Sequence, residues 1–91
     1  MRIFTNQIST ADFLRSYRGK ENLYRFTHPV EMNGRVYFST DRKNSQGTWN
    51  QYGKKLLVVP KEFYTFLGKT AITGEELKKM ARQYNRTNSS P

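Results

Sequence analysis

From Tyr24 the chain takes up a period of two: Tyr24, Phe26, His28, Val30 and Met32 alternate with Arg25, Thr27, Pro29 and Glu31. After Asn33-Gly34 the period resumes, with Val36, Phe38 and Thr40 alternating with Arg35, Tyr37, Ser39 and Asp41. An extended strand sends successive side chains to opposite faces, and Asn-Gly supplies the left-handed backbone of a tight turn, so this stretch is a hairpin with one apolar face. Its register follows from which faces coincide. A two-residue turn at Asn33-Gly34 sets Pro29 opposite Phe38 and Arg25 opposite Arg42, and divides the apolar sets between the two sides. A three-residue loop of Met32, Asn33 and Gly34, with Gly34 left-handed in a bulge, sets Val30 opposite Val36, His28 opposite Phe38 and Phe26 opposite Thr40. It also places Glu31 opposite Arg35 and Arg25 opposite Asp41, each cross-strand ion pair contributing roughly 0.2 to 1 kcal/mol. The bulged hairpin is the expected form.

The elements around the hairpin are shorter. Arg2-Ile3-Phe4-Thr5 reads as a strand, and Ser9-Thr10-Ala11-Asp12 as the cap of a helix running to about Arg18, with Phe13, Leu14 and Tyr17 on one side and Gly19 suited to a left-handed C-terminal position. Lys55-Leu56-Leu57-Val58-Val59 is a continuous apolar run, the pattern of a strand buried on both faces at the centre of a sheet. Pro60 suits the opening of a helix carrying Phe63, Phe66 and Leu67 inward and ending at Gly68. Thr73-Gly74-Glu75-Glu76 is a capping box for a last helix, with Leu77, Met80, Ala81 and Tyr84 inward and Lys78, Lys79, Arg82 and Arg86 outward. The order is β-α-β-β-β-α-α: an α+β fold with a small, mostly antiparallel sheet and helices packed on one face. Residues 1–86 are expected to form a single domain, followed by a disordered polar tail at 87–91.

Composition narrows the function classes. The chain has 91 residues, 16 Lys plus Arg against 7 Asp plus Glu, a net charge of +9, and no cysteine. Without cysteine there is no disulfide framework or thiolate chemistry, and one histidine leaves almost no zinc spacing, so no metal and no cofactor are expected. No apolar run reaches signal-peptide or membrane-span length, which predicts a cytoplasmic protein with no membrane partner. The sequons at Asn85 and Asn88 are then chance matches. A field of this sign favours polyanions, nucleic acid first, anionic membrane second and an acidic protein surface third, and it excludes a DNA mimic, which must be acidic.

Catalytic signals are thin. Gly68-Lys69-Thr70 resembles the end of a phosphate-binding loop, but Phe63 stands where the motif needs its first glycine. His28 has no nucleophile or carboxylate tied to it and is expected to pack on the apolar face opposite Phe38. No enzyme is expected, the remaining enzymatic alternative being a small basic ribonuclease of the toxin type, similar in size and charge alone. A helix-turn-helix over Phe63–Arg86 is disfavoured by the long connection from Gly68 to Thr73, and by Glu75 and Glu76 at the helix N-terminus.

The candidate interface is a pair of basic segments. Residues 41–54 read as a long loop with Arg42, Lys43, Lys54 and Lys55 at its roots and Trp49 and Tyr52 toward its tip. Cations track phosphates and aromatic faces stack on unpaired bases; equally, Trp49 suits a lid folded back on the core. On the last helix, Lys78, Arg82 and Arg86 stand in one i, i+4 line beside Lys79, and no acidic residue follows Glu76. Together these segments predict one positive surface on a small nucleic-acid-binding protein, DNA or RNA, that has no catalysis of its own. The alternative is an inhibitor or adaptor docking on an acidic protein. Either would suit a phage or mobile-element accessory protein.

Overall fold

The computed structural model describes residues 6–88. Within them the elements are β1 (Asn6–Ser9), α1 (Thr10–Ser16), a 3₁₀ turn (Glu21–Leu23), β2 (Tyr24–Met32), β3 (Arg35–Lys43), β4 (Trp49–Pro60), α2 (Lys61–Leu67), β5 (Ile72–Thr73) and α3 (Gly74–Asn88). The strands form one sheet in the order β1-β4-β3-β2-β5, antiparallel throughout except for β1 beside β4. The α+β class, the mostly antiparallel sheet and the placing of helices on one side match the sequence expectation. The strand expected at Arg2–Thr5 lies outside the described residues, and β5 was not foreseen. Helix α3 runs on to Asn88, so the expected tail begins inside it, and 89–91 lie outside the described residues.

One apolar layer joins the sheet to its helices. Phe26, Phe38, Leu57 and Val59 of the strands are buried against Phe13 of α1, Phe63 and Leu67 of α2, and Leu77 and Ala81 of α3. Rings carry much of this contact, with Phe13 edge-on to Phe26 at 4.9 Å and to Tyr24 at 5.9 Å, geometries worth about 0.5–1.5 kcal/mol per pair beyond area burial. The expected caps form. Ser9 Oγ accepts from the Asp12 N–H, while Glu76 N–H donates to Thr73 Oγ1 and Thr73 N–H donates back to Glu76 Oε1, closing the capping box. Gly74 opens α3 in direct contact with the 3₁₀ turn, where a Cβ would stand 2.3 Å from the Glu21 carbonyl oxygen. Phe66 departs from its expected inward place: it is 36% exposed, lying against Phe63 and Tyr84 at the surface.

The hairpin uses both registers. Asn33 and Gly34 are both left-handed (φ 54° and 78°), forming the two-residue turn and setting Met32 opposite Arg35, Glu31 opposite Val36 and Val30 opposite Tyr37. Further along, Thr27 faces Ser39, Phe26 faces Thr40 and Arg25 faces Asp41, the pairing of the bulged form. The extra residue sits at His28-Pro29, which together stand opposite Phe38, with His28 in the left-handed region (φ 54°). Proline has no N–H to give the ladder and so belongs at such a bulge. Three expectations are corrected. Val30 does not oppose Val36, Glu31 pairs with Lys61 of α2 (3.1 Å) instead of Arg35, and His28 is exposed instead of packed. The bulge sends Val30 to the side of the sheet away from the helices, where it is 54% exposed.

The apolar run at 55–59 is corrected in the same sense. The middle strand is β3, and β4 alternates: Leu57 and Val59 are buried under the helices while Leu56 and Val58 stay half-buried on the other side, where no helix lies among the described residues.

Candidate nucleic-acid interface

Residues 41–54 are not a loop. Strands β3 and β4 continue through them as a paired ribbon, Asp41 opposite Gln51, Arg42 opposite Asn50 and Lys43 opposite Trp49. The turn is compact: Asn44 Oδ1 accepts from the N–H groups of Gln46 and Thr48, and Asn44 N–H donates to the Thr48 carbonyl. Both glycines serve this ribbon: Gly47 is left-handed in the turn (φ 84°), its N–H donating to the Asn44 carbonyl, and Gly53 (φ 57°) lies in a bulge where Thr40 of β3 faces Tyr52–Lys55 of β4.

Strand parity then separates the two aromatic residues that a loop tip would have presented together. Trp49 shares a face with Lys43 and Gln51, the open side of the sheet, with the Arg25 guanidinium 4.7 Å and the Lys43 ammonium 5.5 Å from its ring centre. Tyr52 turns to the helix side and meets buried Tyr24 edge-on at 5.5 Å, with Arg42 at 5.8 Å from its ring. Trp49 is therefore neither a loop tip nor a lid on the helix-side core. Lys55, also on the helix side, lies 5.6 Å from the Tyr17 ring and donates to its hydroxyl at 3.2 Å. Burial pushes the Tyr24 phenol above its ordinary pKa, the neighbouring Tyr52 adding to the effect, so the ring stays a neutral packing surface. The backbone of Lys54 lies in the bulge, and its side chain lies outside the described residues.

All these cations and rings sit at one end of the sheet, away from the Asn33-Gly34 turn. Arg25 was not among the residues expected here. Its signal was present in the sequence as the residue opposite Asp41, whose Oδ2 accepts from Arg25 Nη2 at 3.0 Å and so aims the guanidinium. Tyr17 was missed as well, because it read as a core residue on the inward side of the first helix.

The cations of α3 are brought elsewhere. Lys79, Arg82 and Arg86 are exposed on the helix side of the sheet, so Trp49 and α3 face opposite ways and the single positive surface expected from sequence divides in two. Lys78 lies 3.5 Å from the buried Glu21 carboxylate, and Lys69 lies 2.5 Å from Glu76. The groove beside α3, about 530 Å³, is lined by Glu21, Glu75 and Glu76 as well as Lys78, Lys79, Arg82 and Arg86. Hydrogen bonding to its own backbone N–H and that of Gly19, together with the charge on Lys78, holds Glu21 below the ordinary carboxylate value of 4.5, although burial opposes the shift. Glu76 is lowered by its bond to Lys69 and then by the Thr73 N–H. Charge compensation makes this groove mixed in sign.

Among the described residues no group of three His, Cys, Asp or Glu side chains is placed to hold a metal ion, and no helix is long and apolar enough to cross a membrane. No protein-family model matches the chain, and comparison with curated proteins and with solved structures found no match either.

Proposed function

We propose that this chain is a small cytoplasmic nucleic-acid-binding protein without catalysis of its own, and that it binds through the end of the sheet bearing Arg25, Arg42, Lys43, Trp49 and Lys55. One observation carries the reading: in a chain of net charge +9, four cation–aromatic pairs among the described residues gather at this one end, two of them on the chain's single tryptophan. A cation beside a π face is the pair of groups a nucleotide engages, phosphate with the first and base with the second. Affinity comes mainly from phosphate contacts, so binding weakens steeply with salt and discriminates little between sequences. The test is a titration of the full chain with nucleic acid at several salt concentrations. Replacing Arg42 and Lys43 by Gln should lower the log–log salt slope by about 0.7 for each single-strand phosphate no longer neutralised, or about 0.9 for a duplex; an unchanged slope removes these residues from the interface.

A second reading is favoured by the other end of the open face, where Val30 (54% exposed) and Met32 (37% exposed) lie in register with Tyr37 and Arg35, next to Leu56 and Val58. Such a strip suits an acidic protein partner, with the cations as its rim. Affinity purification with and without nuclease separates the two: a stoichiometric protein retained after nuclease treatment favours the adaptor.

A further inference from the structure

We infer that the open face of the sheet takes single-stranded nucleic acid, with a base stacked on Trp49 and the strand running across the sheet toward Tyr37. The inference rests on the nucleic-acid reading above and narrows it to one face and one kind of strand. Cross-strand pairing assigns the open face row by row: Arg25 with Asp41, Thr27 with Ser39, Val30 with Tyr37 and Met32 with Arg35, continued on β4 by Trp49, Gln51, Leu56 and Val58. Among the described residues these rows hold one carboxylate, Asp41, and it is engaged by Arg25. Arg35 and Lys43 add positive charge at the two ends.

Three features favour a single strand. First, the face offers rings and aliphatic side chains, which gain from base faces; a duplex hides its base faces in the stack and presents phosphates, so most of this surface would contact nothing it suits. Second, the rows the strand crosses toward Tyr37 lie in the body of the sheet, where β1, β4, β3 and β2 stand side by side over about 14 Å, wider than a major groove of about 12 Å; only the ribbon tip at 43–49 is two strands wide. Third, the rows between Trp49 and Tyr37 carry Thr27, Ser39 and Gln51, donors and acceptors that suit unpaired base edges. The helix side lacks this combination, because Tyr52 is committed to Tyr24 and the groove beside α3 carries three carboxylates.

The experiment uses the full chain and Trp49 as reporter. Twelve-nucleotide oligo(dT) and oligo(U), a mixed-sequence duplex of the same length, and heparin as a charge-only probe are each titrated while indole emission is followed. The expected result is at least about tenfold tighter binding of the single strands than of the duplex, with emission quenched by the single strands alone. Trp49→Ala should weaken single-strand binding about 5- to 150-fold, the equivalent of one base stack, while Trp49→Phe retains most of the affinity. The phenylalanine variant keeps the test valid if the alanine variant folds poorly. A Lys79→Gln, Arg82→Gln double variant on α3 should change single-strand affinity by less than about threefold. Duplex binding as tight as single-strand binding with Trp49 emission unchanged would overturn the open-face assignment and leave the broader reading standing. Heparin binding as tight as oligo(dT) would reduce the interaction to charge alone and overturn it too. Failure to bind any nucleic acid would sink both.

Discussion

Leu56 and Leu57 are neighbours in β4, yet Leu57 is wholly buried under the helices while Leu56 is half-buried on the open side. The same contrast runs along the whole sheet. On the covered side, Phe26, Phe38, Leu57 and Val59 meet three helices; on the open side, rings and aliphatic groups of similar size meet cations, hydroxyls and solvent. Fold stability is therefore concentrated on one face, and the other is free to be chosen for recognition. Substitutions should sort by face, those beneath the helices moving stability and those on the open side moving binding.

The largest test of that division is Phe38→Ala. Phe38 is fully buried at the centre of the middle strand, and its truncation should cost about 3 to 5 kcal/mol in chemical denaturation; a cost below about 1 kcal/mol would mean the helices do not cover it. Gly74→Ala comes next. The added methyl meets the Glu21 carbonyl at 2.3 Å and the Phe13 ring at 3.0 Å, so α3 must shift, at about 1 to 3 kcal/mol. A variant as stable as the parent would show that α3 and the 3₁₀ turn are not in contact.

Acidification probes the covered side through Glu21 and Glu76. Both folded-state values lie below 4.5, so each carboxylate contributes stability that is fully present above that value and is lost as pH falls through the lowered one. Thermal denaturation between pH 6 and 3 should show the melting temperature falling across the acid limb, and Glu76→Gln should flatten the fall. The smallest stability effects belong to the open side. Trp49→Ala removes two cation–π interactions of about 0.5 to 1 kcal/mol each, and Val30→Thr, at an exposed site, should stay within about 0.5 kcal/mol of the parent. Should Trp49→Ala destabilise as much as Phe38→Ala, the two faces would not differ in kind.

Local signals made part of this legible. The caps at Ser9 and Thr73 and the helix end at Gly68 each rest on a few adjacent residues and were readable from sequence, whereas Asn33-Gly34 marked the hairpin but closes it in two residues instead of the expected three. Residues 41–54 misled because glycines and amides there serve a tight turn and a bulge inside continuous strands, and composition does not distinguish those from a loop. Leu56 and Val58 misled differently. An unbroken apolar run normally means cover on both sides, and nothing in the run itself says that one side is bare. Of the candidate site, Arg42, Lys43 and Trp49 were read as neighbours, correctly in sequence but not in face: Arg42 follows Tyr52 and Lys43 follows Trp49. Arg25, which lies 4.7 Å from the indole, comes from two strands away, and only the register reveals it.

The bulge at His28-Pro29 also makes β2 longer than its task. Nine residues of β2 are laid against eight of β3, so one is surplus to the ladder. Removing Pro29 should leave every pair on both sides intact, Arg25 with Asp41 at one end and Met32 with Arg35 at the other, and let His28 straighten into the place opposite Phe38. Length here is thus separable from topology: a deletion in mid-strand, ordinarily ruinous because it turns all that follows onto the wrong face, should at this one point be absorbed. The same slack marks 28–29 as a place in the sheet where a residue can be removed without moving Trp49.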